Sequence, residues 1–219
     1  MKKLKTLLLV LLFSMGTTPI LADAGSFAGP YISITGQING ATADGHARNS
    51  NDETTTGTIG KVAGSVGGSL GYAIPFGSNF LLDIGASHQP GEARINLDAG
   101  EGDALSDNAG DVNIEFKDFL VAYIKPTIAV SDSAAFYAKH GYAHTTMELS
   151  GDTKDGKGSL HGDLWAVGSK ALFGNGLFIE TEAGVIIYDD IQFERLNATG
   201  SGRADPEVAY GSMSIGFKF

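Results

Sequence analysis

The sequence predicts an all-β chain, a closed antiparallel transmembrane β-barrel of about eight strands with short turns at one end and long polar loops at the other. Three observations carry this expectation. An export signal opens the chain, segments of period-two alternation recur down to the last residue, and the connections between them alternate in length.

The first element is the signal. Lys2, Lys3 and Lys5 precede the apolar run Leu7 to Phe13, and Ala22-Asp23-Ala24 places small residues at both specificity positions of a cleavage site. The cut is expected before Gly25, giving a cleaved signal peptide over 1–24 and a barrel domain over 25–219. The apolar run is far shorter than the ~20 residues of a spanning helix. The exported chain of 219 − 24 = 195 residues suffices for one domain. Without the leader it carries 15 − 3 = 12 basic and 25 − 1 = 24 acidic side chains, a balance of −12. That balance argues against nucleic acid as a partner, because phosphates need a basic footprint. The chain has no cysteine, which excludes a disulfide framework and a thiolate metal site. No cofactor is expected.

The strands follow in order. Tyr31 to Asn39 sets Ile32, Ile34 and Ile38 against Ser33, Thr35 and Gln37. Lys61 to Ile74 sets Val62, Val66, Leu70, Tyr72 and Ile74 against Ser65, Gly67, Ser69 and Gly71. Phe80 to Ser87 sets Phe80, Leu82 and Ile84 against Asp83, Gly85 and Ser87. Ile114 to Val130 is a strand whose facing stays open: either Phe119, Val121 and Tyr123 or Leu120, Ala122 and Ile124 look outward. Further strands are expected at Ala135 to Met147 and Leu164 to Phe173. In Leu177 to Ile187, Leu177, Ile179, Val185 and Ile187 oppose Glu180, Glu182 and Gly184. The last strand reads most clearly: Gly211, Met213, Ile215, Phe217 and Phe219 on one face, and Tyr210, Ser212, Ser214, Gly216 and Lys218 on the other. A strand with lipid on one side and a wet or packed lumen on the other needs this pattern.

The connections add direction. Pro75 to Asn79, Ser131 to Ser133 and Phe173 to Gly176 are tight and rich in turn-forming residues. Ala41 to Gly60, Pro90 to Asn113, Ser150 to Gly162 and Asp189 to Pro206 are long and polar. Three short turns alternating with four long loops put both chain ends on the short-turn side. Outer-membrane barrels show this asymmetry, with short periplasmic turns and longer extracellular loops.

Charged residues inside strands form the best-founded cluster. Lys139, Lys170, Glu180 and Glu182 must point inward, since a lysine on the lipid face at the midplane costs about 2–4 kcal/mol. Buried charges need partners, and these four would satisfy one another and fill the barrel. Parity then constrains the turn between Lys170 and Glu180. A two-residue loop at Gly174-Asn175 turns the lysine to lipid. A three-residue connection centred on Gly174 pairs it with Phe178 and leaves Glu180 on the diagonal.

Other motifs carry less. His140 and His144 share a strand face, but Ser87 and His88 point to opposite faces, so no serine–histidine pair is formed there. His144 reads as an interfacial residue near the outer rim, and His140 shares the lipid face with Phe136 and Tyr142 without an evident reason. Glu92, Asp98, Glu101, Asp103, Asp107 and Asp111 do not match the spacing of an EF-hand and read as a solvated acidic loop. Gly64 to Gly71 has no Gly-Lys-Ser/Thr continuation, and its glycines suit a curved sheet. Asn197-Ala198-Thr199 matches a glycosylation sequon, which would mean little in a bacterial chain.

The final strand, with Phe219 preceded at alternate positions by Phe217, Ile215 and Met213, resembles the C-terminal signal that outer-membrane barrels present to their assembly machinery. Gly29-Pro30-Tyr31-Ile32, Phe136 to Tyr142 and Phe178 to Gly184 are similar to the small eight-stranded family that includes the transmembrane domain of outer-membrane protein A and the opacity-type surface proteins. The resemblance implies an integral protein of the Gram-negative outer membrane, in contact with lipid and lipopolysaccharide, that is inserted by the barrel-assembly machinery. The larger members carry a periplasmic peptidoglycan-binding domain after the last strand, and a cell-wall anchor is not carried over to this sequence as an expectation. Function is expected to be non-enzymatic, with surface loops meeting an extracellular partner. A narrow porin-like channel for ions or small hydrophobic solutes is the alternative, and a lipid-modifying enzyme the third reading.

Overall fold

The computed structural model describes residues 22–48, 54–97, 112–151, 156–194 and 201–219. Most of the expected signal, the acidic stretch Asp98 to Asp111 and the sequon lie outside the described residues. The strands are β1 (Gly29–Arg48), β2 (Thr54–Phe76), β3 (Phe80–Leu97), β4 (Val112–Ser131), β5 (Ala134–Gly151), β6 (Gly156–Leu172), β7 (Leu177–Tyr188), β8 (Ile191–Glu194) and β9 (Ser201–Lys218). Neighbours in the sheet are antiparallel, and β1 pairs with both β2 and β9, so the sheet closes. The short β8 pairs only with the start of β9 and continues the line of β7 past Asp189 and Asp190. Eight strands therefore encircle the lumen.

The wall is inverted relative to a water-soluble sheet. Ile34 is 69% exposed and Val66 64%, while Lys125, Lys170 and Asp83 on the opposite face are buried. The outward set includes Leu120, Ala122 and Ile124, which resolves the open facing of β4. The deciding residue is Lys125, which shares the inward face with Val121 and Tyr123. An outward lysine would have stood in the apolar band.

Six interior aromatics each lie opposite an interior glycine on a neighbouring strand. Tyr31 lies opposite Gly71, Tyr123 opposite Gly85, Tyr137 opposite Gly168, and Phe178 opposite Gly216. Tyr188 and Tyr210 repeat the arrangement with Gly162 and Gly184. A Cβ on Gly71 would sit 2.5 Å from Tyr31 Oη, and one on Gly85 2.6 Å from Tyr123 Oη. Each ring occupies the space that its partner lacks. This is how a narrow eight-stranded barrel is filled by side chains.

A 3-10 turn, Ala24–Phe27, closes the short-turn end. Phe27 and Ala24 are buried against Ala73, Leu81, Ala129 and Ala135. Ala24 N donates to Ser78 O and Asp23 N to Asp132 Oδ1, so this segment is tied to two of the short turns. Phe219 N donates to Pro30 O beside it. Both ends of the described chain thus meet at the short-turn end.

At the other end the barrel divides. Pairing between β2 and β3 runs only from Phe76↔Phe80 to Gly68↔His88, although both strands continue. Pairing between β6 and β7 likewise stops at Gly162↔Tyr188. Beyond these points β8-β9-β1-β2 form one four-stranded lobe and β3-β4-β5-β6 another. At ~3.4 Å per residue the β1–β2 ribbon runs roughly 45 Å past the split. Much of what the sequence presents as long polar loops is therefore paired ribbon. Backbone ladders are indifferent to side-chain polarity once both faces are wet, so the alternation signal vanishes while the strands persist.

The β6–β7 turn also departs from expectation. It is odd in length, but Lys170 pairs directly with Glu180 and Leu172 with Phe178, which centres the connection on Asn175 instead of Gly174. Gly176 takes the left-handed conformation, φ 86°, with its N–H donating to Phe173 O. A side chain there would also press on Lys218 O at 2.6 Å.

Candidate functional site

The lumen holds two storeys of ion pairs. In the lower one Lys125 Nζ lies 2.8 Å from Glu180 Oε1 and 3.2 Å from Asp83 Oδ2. Lys170 Nζ lies 2.9 Å from the same Glu180 oxygen and 3.9 Å from Asp83 Oδ2. Two cations face two carboxylates, so this storey is neutral as a unit. Rings complete the enclosure. Lys125 Nζ stands 4.5 Å from the Tyr137 centroid, and Lys170 Nζ stands 4.6 Å from Tyr31 and 4.4 Å from Phe178. Cation–π attraction strengthens when water is excluded.

The upper storey joins Lys139 Nζ to Glu182 Oε1 at 2.9 Å, and Tyr210 Oη donates to the same carboxylate oxygen at 2.7 Å. Lys139 also lies 4.5 Å from the Tyr123 centroid. Above it the β4–β9 side of the lumen is apolar, with Val121, Leu160, Leu164, Ile186 and Tyr188 packed together. The β1–β3 side is polar. There Gln37 donates to Asn39, Asn39 to Ser65, Ser65 to Gln89 and Gln89 back to Gln37, at 2.5 to 3.0 Å. This ring spans β1, β2 and β3 where β2 and β3 part, so side chains take over the joint that the backbone abandons. No buried side-chain nitrogen or oxygen among the described residues lacks a hydrogen-bond partner.

The structure thus places Lys139, Lys170, Glu180 and Glu182 in one lumen but divides them between storeys. Two members were not singled out in the sequence. Asp83 sat unremarked on the polar face of its strand. Lys125 lay in the one segment of open facing. The lysine itself was the missing signal: the cost of an outward cation would have turned Val121, Tyr123 and Lys125 inward together.

A family model for the outer membrane protein beta-barrel domain matches residues 6–208. The chain belongs to that family. It is an integral outer-membrane protein, and the short-turn end is accordingly periplasmic. Among solved structures, the outer membrane protein OprG from Pseudomonas aeruginosa is similar over 88% of this chain and 97% of its own, at 12% identity and a TM-score of 0.54. The outer membrane protease OmpT from Escherichia coli is similar over 87% and 97%, at 9% identity and a TM-score of 0.50. Ail, the attachment invasion locus protein of Yersinia pestis, aligns over 85% and 99% at 12% identity and a TM-score of 0.46. Identities this low show the fold alone. No curated protein matches the chain.

For an outer-membrane barrel the lipid face matters as much as the lumen. Met213, Ile215 and Phe217 lie outward on β9, the strand that closes the barrel against β1, and Phe219 is exposed just past its end. Phe217 and Phe219 meet edge to face at 5.3 Å between centroids. On β5, His140 Nδ1 donates to Leu164 O at 3.1 Å, and its ring lies 4.1 Å from that of Trp165. A satisfied ring nitrogen and an aromatic neighbour explain how a histidine is tolerated on the outer face beside Phe136 and Tyr142.

Proposed function

We propose that this protein is a non-conducting, non-enzymatic surface barrel whose membrane part serves as a rigid base for two extracellular lobes that meet an extracellular partner. The buried lower storey supports this reading: Asp83, Lys125, Lys170 and Glu180 fill the lumen between the rings of Tyr31, Tyr137 and Phe178, and Phe27 lies beneath them. A conducting path would have to separate these charges and leave them unpaired in a narrow, poorly hydrated space. The seal does not depend on the expected leader. Cleavage before Gly25 removes Ala22, Asp23 and Ala24 with their hydrogen bonds to Ser78 and Asp132, whereas Asp83, Lys125, Lys170 and Glu180 all lie in the exported chain.

The two lobes supply the surface for recognition, since among the described residues the β2–β3 and β6–β7 ladders end at Gly68 and Gly162 and the strands run on past them. Contact with lipid and lipopolysaccharide along the outward apolar wall, and insertion by the barrel-assembly machinery through the Met213, Ile215, Phe217 and Phe219 face, complete the proposal. The purified barrel in planar bilayers should show no single-channel steps above the lipid background. Regular ohmic steps would replace this reading with the channel. Release of acyl chains from labelled lipopolysaccharide would replace it with an enzyme.

A further inference from the structure

Four histidines lie outward on one side of the barrel: His88 on β3, His140 and His144 on β5, and His161 on β6. Three of them fall on one line across the sheet, with His88 opposite Leu120, Leu120 opposite His144, and His144 opposite His161. The line sits about ten residues above the periplasmic turns. At ~2.6 Å of climb per residue in a strand tilted by about 40° this is ~26 Å, the top of an apolar band about 25 Å tall. These imidazoles are therefore at headgroup level, within reach of ions from the medium.

Only one pair among them converges. His144 Nδ1 and His161 Nδ1 stand 3.2 Å apart, with ring centroids separated by 4.8 Å. One ring donates its Nδ1 hydrogen to the other, so a single proton lies between two lone-pair sites. A metal bound at 2.0–2.1 Å to two imidazole nitrogens in tetrahedral geometry sets them about 3.3–3.4 Å apart. The Nδ1 separation thus already matches that of a chelate, and a rotation of the rings turns both lone pairs onto one ion. His161 is held by stacking on Tyr142, 5.4 Å between centroids and 19° between planes. The surrounding charge favours a cation: Asp163 is exposed on the same outward face of β6, and exposed Asp189 donates its backbone N–H to His161 O.

We propose that His144 and His161 form a two-imidazole site for a borderline divalent transition-metal ion, such as Cu2+, Ni2+ or Zn2+, on the outer face of the barrel. Binding moves the shared hydrogen to Nε2 of the ring that donated it, and the metal takes its place between the two Nδ1 atoms. Among the described residues there is no group of three or more His, Asp or Glu that would hold a metal. The remaining positions therefore belong to water or headgroup oxygens, and micromolar affinity is expected. His140 is committed through Nδ1 to a backbone carbonyl, and His88 lies 3.7 Å from Asp118 with Leu120 between it and the pair. Both serve as internal controls.

The test is titration of the tag-free, refolded barrel with Cu2+, the strongest binder of the series, followed by calorimetry and electron paramagnetic resonance. One ion per chain with the hyperfine signature of two imidazole nitrogens is expected. His161→Gln and His144→Gln should each weaken binding by about tenfold or more, while His88→Gln and His140→Gln bind as wild type. Heat-modified mobility on gels establishes that each variant is folded, and the nitrogen count on wild type stands independently of any variant. Absence of binding to wild type, unchanged affinity in both His144→Gln and His161→Gln, or loss on His88→Gln overturns the proposal.

Discussion

Below Gly68 and Gly162 the barrel is held from every side, whereas above them each lobe is held from one. In the lower part the ladder closes, interior rings fall on interior glycines, and Lys125 and Lys170 share two carboxylates across the lumen. In the upper part the strands pair within their lobes, and the ion pairs are wet. Lys117 and Lys157 meet at Glu148, with side-chain exposures of 29%, 71% and 32%. Coulomb attraction is strong where water is excluded and screened where it is not. The same chemistry therefore fixes the base firmly and leaves the lobes free to adjust to a partner.

The sharpest break of this contrast is Lys125→Met. Removing the cation leaves Glu180 and Asp83 sharing Lys170 alone, and the expected loss is about 3–5 kcal/mol for a buried pair left short of a partner. Urea unfolding in detergent micelles measures it. The double variant Lys125→Met/Glu180→Gln restores neutrality and should recover part of the loss. A double variant no more stable than the single would mean that shape, not charge, governs the lower storey. Lys170→Met should behave in the same direction.

Glycine gives the next test, because the two faces use it differently. Gly216→Ala places a methyl group against the Phe178 ring and Ile32 O, whereas Gly211→Ala on the outer face meets nothing within 4 Å. Overpacking predicts a loss of about 1–3 kcal/mol for the first, and an exposed site predicts a change within about 0.5 kcal/mol for the second. Equal effects in urea unfolding would show that the aromatic–glycine pairing does not hold the lumen.

How much of this was legible depended on whether a residue's neighbours constrained its facing. Alternation in Tyr31 to Asn39 and Ala209 to Phe219 was plain, since Ile32, Ile34 and Ile38 in the first and Met213, Ile215 and Phe217 in the second take turns with small or polar residues. Alternation failed in β4, where both faces are bulky around Phe119 to Ile124, and Lys125 was the residue that could have settled it. The lobes were invisible for the opposite reason: a ribbon wet on both faces needs no apolar partner set. The turn was half legible. Parity demanded an odd connection, but its centre depends on Gly176 taking φ 86° and receiving the chain beneath Lys218 O, which no local pattern announces. The match of these six interior aromatics with glycines is a cross-strand property, and it becomes readable only once the register is known.

At the seam between the two regions, Gln89 reaches from β3 to Ser65 on β2 and Gln37 on β1. Gln89→Ala removes one accepted and one donated hydrogen bond, a loss of about 1–2 kcal/mol. The loss should be local. Amide exchange is expected to speed up in Ser65 to Gly68 and His88 to Gln89, with the Phe76 to Phe80 end unchanged. Uniform acceleration round the barrel would show that the seam is not a separate joint.

The smallest effect is acid loosening of the β3–β6 lobe. Glu148 lies beyond the membrane span, and Lys157 and Lys117 hold its carboxyl down to about 2 from an ordinary value of 4.5. A carboxyl whose folded value is depressed stabilises above its unfolded value and stops doing so as pH falls through the folded one. The link between β4, β5 and β6 should therefore be intact above about pH 4.5 and fade towards pH 2. Lys157 is largely exposed, so added salt should weaken the link. Carboxyl NMR of the micelle-bound barrel checks this. The Glu148 resonance should titrate near 2 in dilute buffer, and Lys157→Met should raise its midpoint towards 4.5, as should concentrated salt to a lesser extent. A wild-type midpoint already at 4.5 would mean that the pairs at Glu148 do not hold the lobe.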